Sequence, residues 1–206
     1  MSAGGPFQDR PGLRADSVTL TRGGRLLFEA LSFSAPAGMF AELRGPNGSG
    51  KTSLLRAFAG LLKPRAGAAL VEAAPEPALV LHYLAHLNAL KSAANVMSHL
   101  LYWRGLLGGT GDVDNALNRV GLDRMARAPA RALSQGQARR LALARLLVAP
   151  RPIWLLDEPA AALDASGRAL LEEMITSHCA AGGVVLAALH EPLVKADLVV
   201  DLTGRA

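Results

Sequence analysis

The stretch Gly45-Pro46-Asn47-Gly48-Ser49-Gly50-Lys51-Thr52 has the form G-x-x-x-x-G-K-[ST] at every fixed position. Residues 40–43 before it read as a short strand, and residues 53–59 after it as a helix. Glycines allow the backbone angles that turn successive N–H groups toward phosphate oxygens at the positive end of a helix. The stretch therefore predicts a phosphate-binding loop at which a nucleotide binds.

Each polar residue of this loop has a predicted role. Lys51 is expected to reach the β- and γ-phosphates and to act in catalysis, and Thr52 is expected to offer its hydroxyl to Mg²⁺. The candidate nucleotide-binding residues of the loop and the following helix start are Gly45, Pro46, Asn47, Gly48, Ser49, Gly50, Lys51, Thr52 and Ser53.

The composition favours a single soluble domain in the cytosol. The chain has 206 residues, half of them apolar, and its net charge of +5 is spread along the sequence, which favours scattered surface charge over a nucleic-acid-binding groove. No apolar run has the ~18 residues of a membrane span, and the first residues lack the apolar core of a signal peptide. The single Cys179 excludes an internal disulfide, and its pairing with His178 favours a solvent-side helical pair over a metal site.

The N-terminal half reads as strands. A flexible segment is expected over residues 1–15, followed by one domain over 16–206. Apolar and polar residues alternate over 17–20 and 31–34 around Gly23-Gly24, which predicts an antiparallel hairpin. Residues 63–77 are expected to connect elements with one short strand, and Ala78 to Leu81 to form a buried strand.

A helical pattern occupies residues 88–132. Asp112 is a suitable N-cap for the second of two helices. These residues predict a small helical subdomain inserted into the nucleotide-binding sheet. The apolar positions predicted to face its core are Val96, Met97, Leu100 and Leu101 on the first helix, and Val113, Ala116, Leu117 and Val120 on the second.

Three later stretches carry candidate chemistry. Ser134 and Gln137 form an S-x-x-Q capping box, which predicts a helix start and a second anion site. The apolar strand over 153–156 ends in Asp157, placed to hold Mg²⁺, and Glu158, placed to accept a proton from attacking water. A further strand delivers His190 to the same edge, where we expect it to contact the γ-phosphate.

The motifs GPNGSGKT, LSQGQ, IWLLDEP and AALD, followed by a strand that ends in His190, resemble those of the ATP-binding subunit of ABC transporters. The resemblance covers the chain from Asp16 onward. It implies an α/β P-loop NTPase with a mostly parallel sheet core, an N-terminal antiparallel β subdomain and a small inserted helical subdomain. It also implies a head-to-tail dimer that sandwiches two ATP molecules.

Roles carried over by this resemblance follow the motifs. Asp157 matches the Mg²⁺ ligand, Glu158 the catalytic base and His190 the switch histidine. Asp164 matches the aspartate of the loop that communicates across the dimer. The residues matching the signature loop, which completes the partner subunit's ATP site, are Ser134, Gly136 and Gln137.

Two positions depart from the family pattern. The glutamine that links Mg²⁺ to the membrane subunit would fall near Leu87, so either coupling differs in detail or Asn88 takes the role. The aromatic residue that stacks on adenine would fall near Arg22, whose guanidinium can stack instead.

Within the family, the small size, the pattern from His86 to Lys91 and the helix SQGQARRLALARL are similar to the CcmA branch, which serves cytochrome c biogenesis. This similarity implies a peripheral subunit on the cytoplasmic face of the inner membrane. Its expected partners are membrane permease subunits of the CcmB, CcmC and CcmD type, and its expected task is haem export or release of a haem-loaded chaperone. Direct haem contact is not implied, and His82 and His86 read as structural residues.

Other functions remain open at this level. The ATPase could serve export of another substrate such as a lipid or drug, act on DNA or the ribosome, or sense nucleotide with little hydrolysis. Tyr102 and Trp103 either meet a membrane subunit or pack within the helical subdomain.

Overall fold

The computed structural model describes Phe7, residues 11–74 and residues 76–204. Its residues form two compact units: Met1–Tyr83, Arg151–Glu158 and Ile175–Ala206 make unit 1, and Leu84–Pro150 and Pro159–Met174 make unit 2. The strands are β1 Leu13–Arg22, β2 Arg25–Ala35, β3 Phe40–Arg44, β4 Ala66–Val71, β5 Leu81–Leu84, β6 Ile153–Asp157, β7 Val184–Ala188 and β8 Leu198–Asp201. The α-helices are α1 Lys51–Phe58, α2 Pro77–Val80, α3 Val96–Leu106, α4 Val113–Arg119, α5 Gln135–Val148 and α6 Ala165–Ala180, with short 3-10 helices at Asp123–Met125 and Ala130–Ala132.

A three-stranded antiparallel sheet in the order β2-β1-β4 contains the predicted hairpin. Arg22 pairs with Arg25 across Gly23-Gly24, as the glycine pair predicted. Strand β1 begins at Leu13, inside the segment expected to be flexible, because Leu13 is wholly buried in the core. The expectation of flexibility for residues 1–6 and 8–10 lies outside the described residues.

The second sheet has the order β5-β6-β7-β3-β8, and its pairs β3/β7, β3/β8 and β6/β7 are parallel. Strands β6 and β7 are buried along their whole length, as expected for a parallel strand covered on both faces. The carboxyl ends of neighbouring parallel strands lie at one edge of a sheet. This edge therefore brings together the segments that follow β3, β6 and β7, and the mostly parallel core predicted from the sequence is confirmed.

Unit 2 is built around helices α3, α4 and α5, which share an apolar core. Asn95 caps α3 by accepting a bond from Ser98 N at 2.7 Å, and the predicted cap Asp112 accepts from Asn115 N at 3.1 Å. The four apolar positions predicted on the second helix are all buried. On α3, Leu101 is 43% exposed, so its prediction as a core residue is wrong; the buried face consists of Val96, His99 and Leu100.

The predicted buried strand over Ala78 to Leu81 is wrong. These residues form the single turn of α2 and the first residue of β5, and Leu79 is 63% exposed. Pro77 at the first turn fixes a helical φ, which favours the turn over an extended chain. The guanidinium of Arg151 then holds the turn by donating to the carbonyls of Ala78 and Leu81.

The solvent-side placement predicted for the pair His178 and Cys179 is wrong for His178, which is buried, whereas Cys179 is partly buried. His178 is 7% exposed, stacks on Trp154 with ring centroids 3.8 Å apart, and has Nε2 3.0 Å from Pro152 O. Burial lowers the pKa of His178 to about 4 and raises that of Cys179 to about 12. No group of three His, Cys, Asp or Glu side chains that could hold a metal ion occurs among the described residues.

Among the residues that the structure describes, no helix has the length and apolar character needed to cross a membrane.

Candidate nucleotide site

The loop between β3 and α1 has the backbone that the glycines predicted. Gly45, Gly48 and Gly50 have φ of +141°, +83° and +104°, which side chains rarely tolerate. A Cβ on Gly50 would lie 2.8 Å from Cε1 of Phe28, so the space is closed to any larger residue. A backbone bond at the start of α1 runs from Leu54 N to Gly50 O at 2.8 Å, and the earlier N–H groups of the first helical turn have no partner within the helix.

Lys51 holds this loop from within. Its ammonium donates to Gly45 O at 2.6 Å and to Pro46 O at 3.1 Å, and the side chain is 7% exposed. The arrangement keeps a positive charge in the centre of the loop, where phosphate groups would be recognised.

Ser49 packs against the backbone of the loop, where a Cβ on Gly45 would lie 2.7 Å from its Oγ. Its Oγ is buried and has no hydrogen-bond partner among the described residues. A buried hydroxyl without a partner is costly, because its lost hydration is not replaced. The fit to a bound polyphosphate therefore depends on the glycine conformations and the Lys51 ammonium, since Ser49 does not line the cavity that they share.

Thr52 and Asp157 come from different elements and meet directly. The Thr52 hydroxyl donates to Asp157 Oδ1 at 3.0 Å, and Asp157 at the end of β6 is 3% exposed. A hydroxyl and a carboxylate are hard oxygen ligands of the kind that Mg²⁺ prefers. This pair fits the predicted magnesium site.

Glu158 and His190 form a second pair. Glu158 is the first residue after β6, and His190 is the second residue after β7. His190 Nε2 lies 2.7 Å from Glu158 Oε1, and Glu158 has a φ of +50°, which is rare for a residue with a side chain. Its N–H donates to Ala188 O at 3.0 Å, which holds the unusual backbone in place. The pair can therefore accept a proton at a defined position.

A cavity of about 500 Å³ in unit 1 joins these groups, and its size suits a nucleotide. It is lined by the loop, by Lys51 and Thr52, by Glu158 and His190, and by Arg22 and Arg25. Arg22 therefore lines the same cavity as the phosphate-binding loop.

The other predicted site residues lie in unit 2. The capping box at Ser134 is formed: Gln137 N donates to Ser134 Oγ at 3.2 Å, and Ser134 N donates to Gln137 Oε1 at 2.9 Å. Gly136 packs so tightly that a Cβ would lie 2.8 Å from Ala162 O. A cavity of about 390 Å³ is lined by Ser134, Gly136, Gln137 and Asp164.

Asp164 is held by its neighbours in this unit. The backbone N–H of Gly167 donates to Oδ1 at 2.9 Å, and the Arg140 guanidinium donates to the same oxygen. The Gly167 bond, and then the Arg140 bond, hold the pKa of Asp164 below its usual range. The carboxylate is therefore ionised wherever the protein is folded near neutral pH.

Residues 28–161 match the sequence profile of the family described as ABC transporter. The chain belongs to the ABC transporter family. Proteins named "Cytochrome c biogenesis ATP-binding export protein CcmA" are 48% identical to it in Nitrobacter winogradskyi, over 88% of this chain and 92% of that protein, and in Rhodopseudomonas palustris over the same shares. Membership in the ABC family and similarity to CcmA proteins confirm the resemblance drawn from the motifs.

Solved structures agree on the ABC fold. A putative ABC transporter ATP-binding protein from Pyrococcus furiosus superposes with a TM-score of 0.81 at 22% identity, covering 93% of this chain and 97% of that one. A bacterial Atm1-family ABC exporter with ATP bound gives 0.81 at 21% identity, covering 97% of this chain and 38% of that one. As an ABC ATPase the chain binds ATP, and ABC ATPases dimerise and work with membrane permeases.

Two arginines of this ABC ATPase had no role predicted from the sequence. Arg140 holds Asp164, and Arg139 is 2% exposed. A signal existed for Arg139, because it shares a helical face with Ala142, Leu143 and Leu146, all of which are buried. Its position on that face indicates an inward side chain.

The Leu87 position and the two aromatic residues considered for contact with a membrane subunit have different surroundings. Leu87 is 78% exposed, and Asn88 is partly buried with its Oδ1 3.0 Å from Arg139 Nη1. The side-chain oxygen of Asn88 is thus engaged within unit 2. Tyr102 is 54% exposed and lies near Lys91, whereas Trp103 is covered by the Arg145 guanidinium, 4.5 Å from its ring centroid.

Proposed function

We propose that the chain is the ATP-hydrolysing subunit of an ABC-type membrane complex for cytochrome c biogenesis, and that hydrolysis is coupled to haem export or to release of a haem-loaded chaperone. The observation that carries the hydrolysis is the 2.7 Å contact between Glu158 and His190 in the cavity that Lys51 and Thr52 also line. The similarity to CcmA proteins over 92% of their length supports the pathway.

Each candidate site residue of unit 1 has a task in this reaction. The loop N–H groups and Lys51 bind the phosphates, and Thr52 and Asp157 are the residues that would hold Mg²⁺. When bound, Mg²⁺ neutralises charge that develops on the phosphate oxygens. Glu158 accepts the proton of the attacking water at a carboxylate oxygen, and His190 orients that carboxylate and contacts the γ-phosphate.

The residues of unit 2 act on a second copy of the chain. The capped start of α5 directs backbone N–H groups outward at a positive helix end, which suits phosphate oxygens. Ser134, Gly136 and Gln137 therefore complete the ATP site of the partner in a head-to-tail dimer, and the Asp164 loop communicates across it. Arg22, which lines the cavity of the first site, stacks its planar guanidinium on the adenine.

The membrane partners follow from the pathway. Permease subunits of the CcmB, CcmC and CcmD type would recruit the chain to the cytoplasmic face of the inner membrane as a peripheral subunit. Direct haem contact and nucleic-acid binding have no part in this proposal, and His82, 3% exposed, acts as a structural residue.

The test combines turnover with partner identity. The tagged chain is purified from solubilised membranes, and the co-purifying proteins are identified. ATP binding and ATP turnover are measured for wild type, Lys51→Ala and the control Lys63→Ala, an exposed lysine outside the site. We expect CcmB- and CcmC-like proteins in the wild-type sample and loss of ATP binding only in Lys51→Ala. Recovery of a different permease would overturn the pathway, and recovery of ribosomes or nucleic acid without a membrane protein would overturn the transport function.

A further inference from the structure

Arg139 on α5 is the largest of the fully buried side chains in the described part of the chain, with 2% exposure. Its guanidinium donates from Nε to Pro159 O at 3.1 Å, and from Nη1 to Ala85 O at 2.9 Å and Asn88 Oδ1 at 3.0 Å. All of these residues belong to unit 2. One rigid group therefore joins two segments that are far apart in sequence.

A buried guanidinium is an expensive way to fill space. Removal of its charge from water costs free energy that is recovered only through well-formed hydrogen bonds. An apolar side chain of similar volume would fill the same site without that cost. The observed use of the guanidinium therefore indicates a need for directional bonds rather than for packing alone.

The two segments that Arg139 joins lie next to residues singled out above: Pro159 next to Glu158, and the 85–88 loop around Leu87. Pro159 is buried and directly follows Glu158 in the chain. The carbonyl that Arg139 holds therefore belongs to the residue next to the catalytic base. Ala85 and Asn88 lie in the loop that follows β5, next to the exposed Leu87. The planar guanidinium has a fixed fork geometry, so it holds both segments at a set separation.

We propose that Arg139 is a positioning residue for ATP hydrolysis: its guanidinium ties the 85–88 loop to the Pro159 carbonyl and so fixes the backbone that presents Glu158. This inference rests on the proposed ATPase function. Loss of these guanidinium bonds therefore slows the chemical step and leaves nucleotide affinity unchanged, because no atom that binds the nucleotide is removed.

The test separates turnover from binding and from stability. Arg139→Met removes the donors and keeps the volume, Arg139→Lys keeps the charge but loses the fork, and Arg124→Met is a matched control at an exposed arginine of the same unit. For each purified full-length variant, kcat, the dissociation constant of ATP and the unfolding midpoint are measured.

We expect Arg139→Met to lower kcat about tenfold or more, which corresponds to about 1.4 kcal/mol of transition-state stabilisation, with ATP affinity within about twofold of wild type. Arg139→Lys should give an intermediate kcat, and Arg124→Met a wild-type kcat. A wild-type kcat in Arg139→Met would overturn the inference, as would equal losses of kcat and ATP affinity.

A second pair of variants, at Asn88, tests the inference if Arg139→Met does not fold. Asn88→Ala removes one acceptor of the guanidinium, whereas Asn88→Asp keeps an oxygen there. We expect kcat to fall about threefold in Asn88→Ala and to stay near wild type in Asn88→Asp. Equal rates in the two variants would overturn the inference, whereas a wild-type protein without ATP turnover would instead overturn the proposed function.

Discussion

His190 and Glu158 lie 32 positions apart in sequence, yet His190 Nε2 is 2.7 Å from Glu158 Oε1. The contact exists because β6 and β7 are adjacent and parallel, so the segments that follow them leave the sheet at the same edge. The Glu158 carboxylate is thereby held from two sides, by its own constrained backbone and by the imidazole.

This contact predicts that Glu158→Gln loses ATP turnover but keeps ATP binding. The amide keeps the size of the side chain but cannot accept the proton, so we expect kcat to fall by about 10²-fold or more while ATP affinity is retained and the closed dimer accumulates. The measurements are single-turnover kinetics, direct ATP binding and the oligomeric state with ATP. Glu29→Gln, an exposed glutamate of β2, is the control. Parallel loss of binding and turnover in Glu158→Gln would disprove the assignment of the base.

The Thr52–Asp157 pair predicts a defined dependence on Mg²⁺. Thr52→Val is isosteric but lacks the hydroxyl, whereas Thr52→Ser retains it. We expect the Mg²⁺ concentration for half-maximal turnover to rise about tenfold in Thr52→Val and to change little in Thr52→Ser, and chelation of Mg²⁺ to abolish turnover in both. Titration of Mg²⁺ at saturating ATP checks this. Identical midpoints in the two variants would exclude the Thr52 hydroxyl as a ligand.

Ser134 should show separable roles in stability and in catalysis. Ser134→Ala removes the N-cap of α5 and should lower the free energy of unfolding by about 1 kcal/mol, whereas Ser134→Asp keeps a capping oxygen. The added carboxylate repels phosphate oxygens, so Ser134→Asp should be stable yet lose turnover and ATP-dependent dimerisation. Denaturant unfolding and ATPase assays measure the two effects. Full activity in Ser134→Asp would show that no phosphate approaches this helix start.

His178 predicts a loss of stability in mild acid. Its pKa in the folded chain is about 4, below the ordinary value of 6.5, because burial disfavours the charged ring. Between these pH values the unfolded chain binds a proton that the folded chain does not, so the free energy of unfolding falls as the pH drops from 6.5 to 4, by on the order of 3 kcal/mol.

The matched variant for this effect is His178→Phe, which can still stack on Trp154 but cannot titrate. Unfolding free energies of both proteins are measured by denaturant titration at several pH values. We expect the wild type to lose stability more steeply than the variant between pH 6.5 and 4. Parallel pH profiles would mean that His178 does not couple folding to protonation.

Features encoded within a few residues could be predicted from the sequence. The phosphate-binding loop, the cap at Asp112 and the capping box at Ser134 depend on side chains that act on their own backbone, and the structure contains all three. The common position of Asp157, Glu158 and His190 at one edge of the sheet could also be predicted, because the carboxyl ends of parallel strands lie at the same edge.

Features set by distant packing could not be predicted in the same way. The burial of His178 depends on Trp154. The hydrogen bonds of buried Arg139 go to Ala85, Asn88 and Pro159, none of which is near it in sequence. The short apolar run at Ala78 fits a strand or a helical turn equally well by periodicity, and the proline before it decides the outcome.

The place of β3 in its sheet has a consequence for the order of events during synthesis. The strand that leads into the phosphate-binding loop is flanked on both sides by strands made much later, since Ala41 pairs with Leu186 and with Leu198. Such distant pairing is slow to form, and an emerging chain exposes the unpaired edges of β3 until β7 and β8 leave the ribosome. The nascent chain would therefore complete the sheet behind its nucleotide-binding loop only after β7 and β8 have been made.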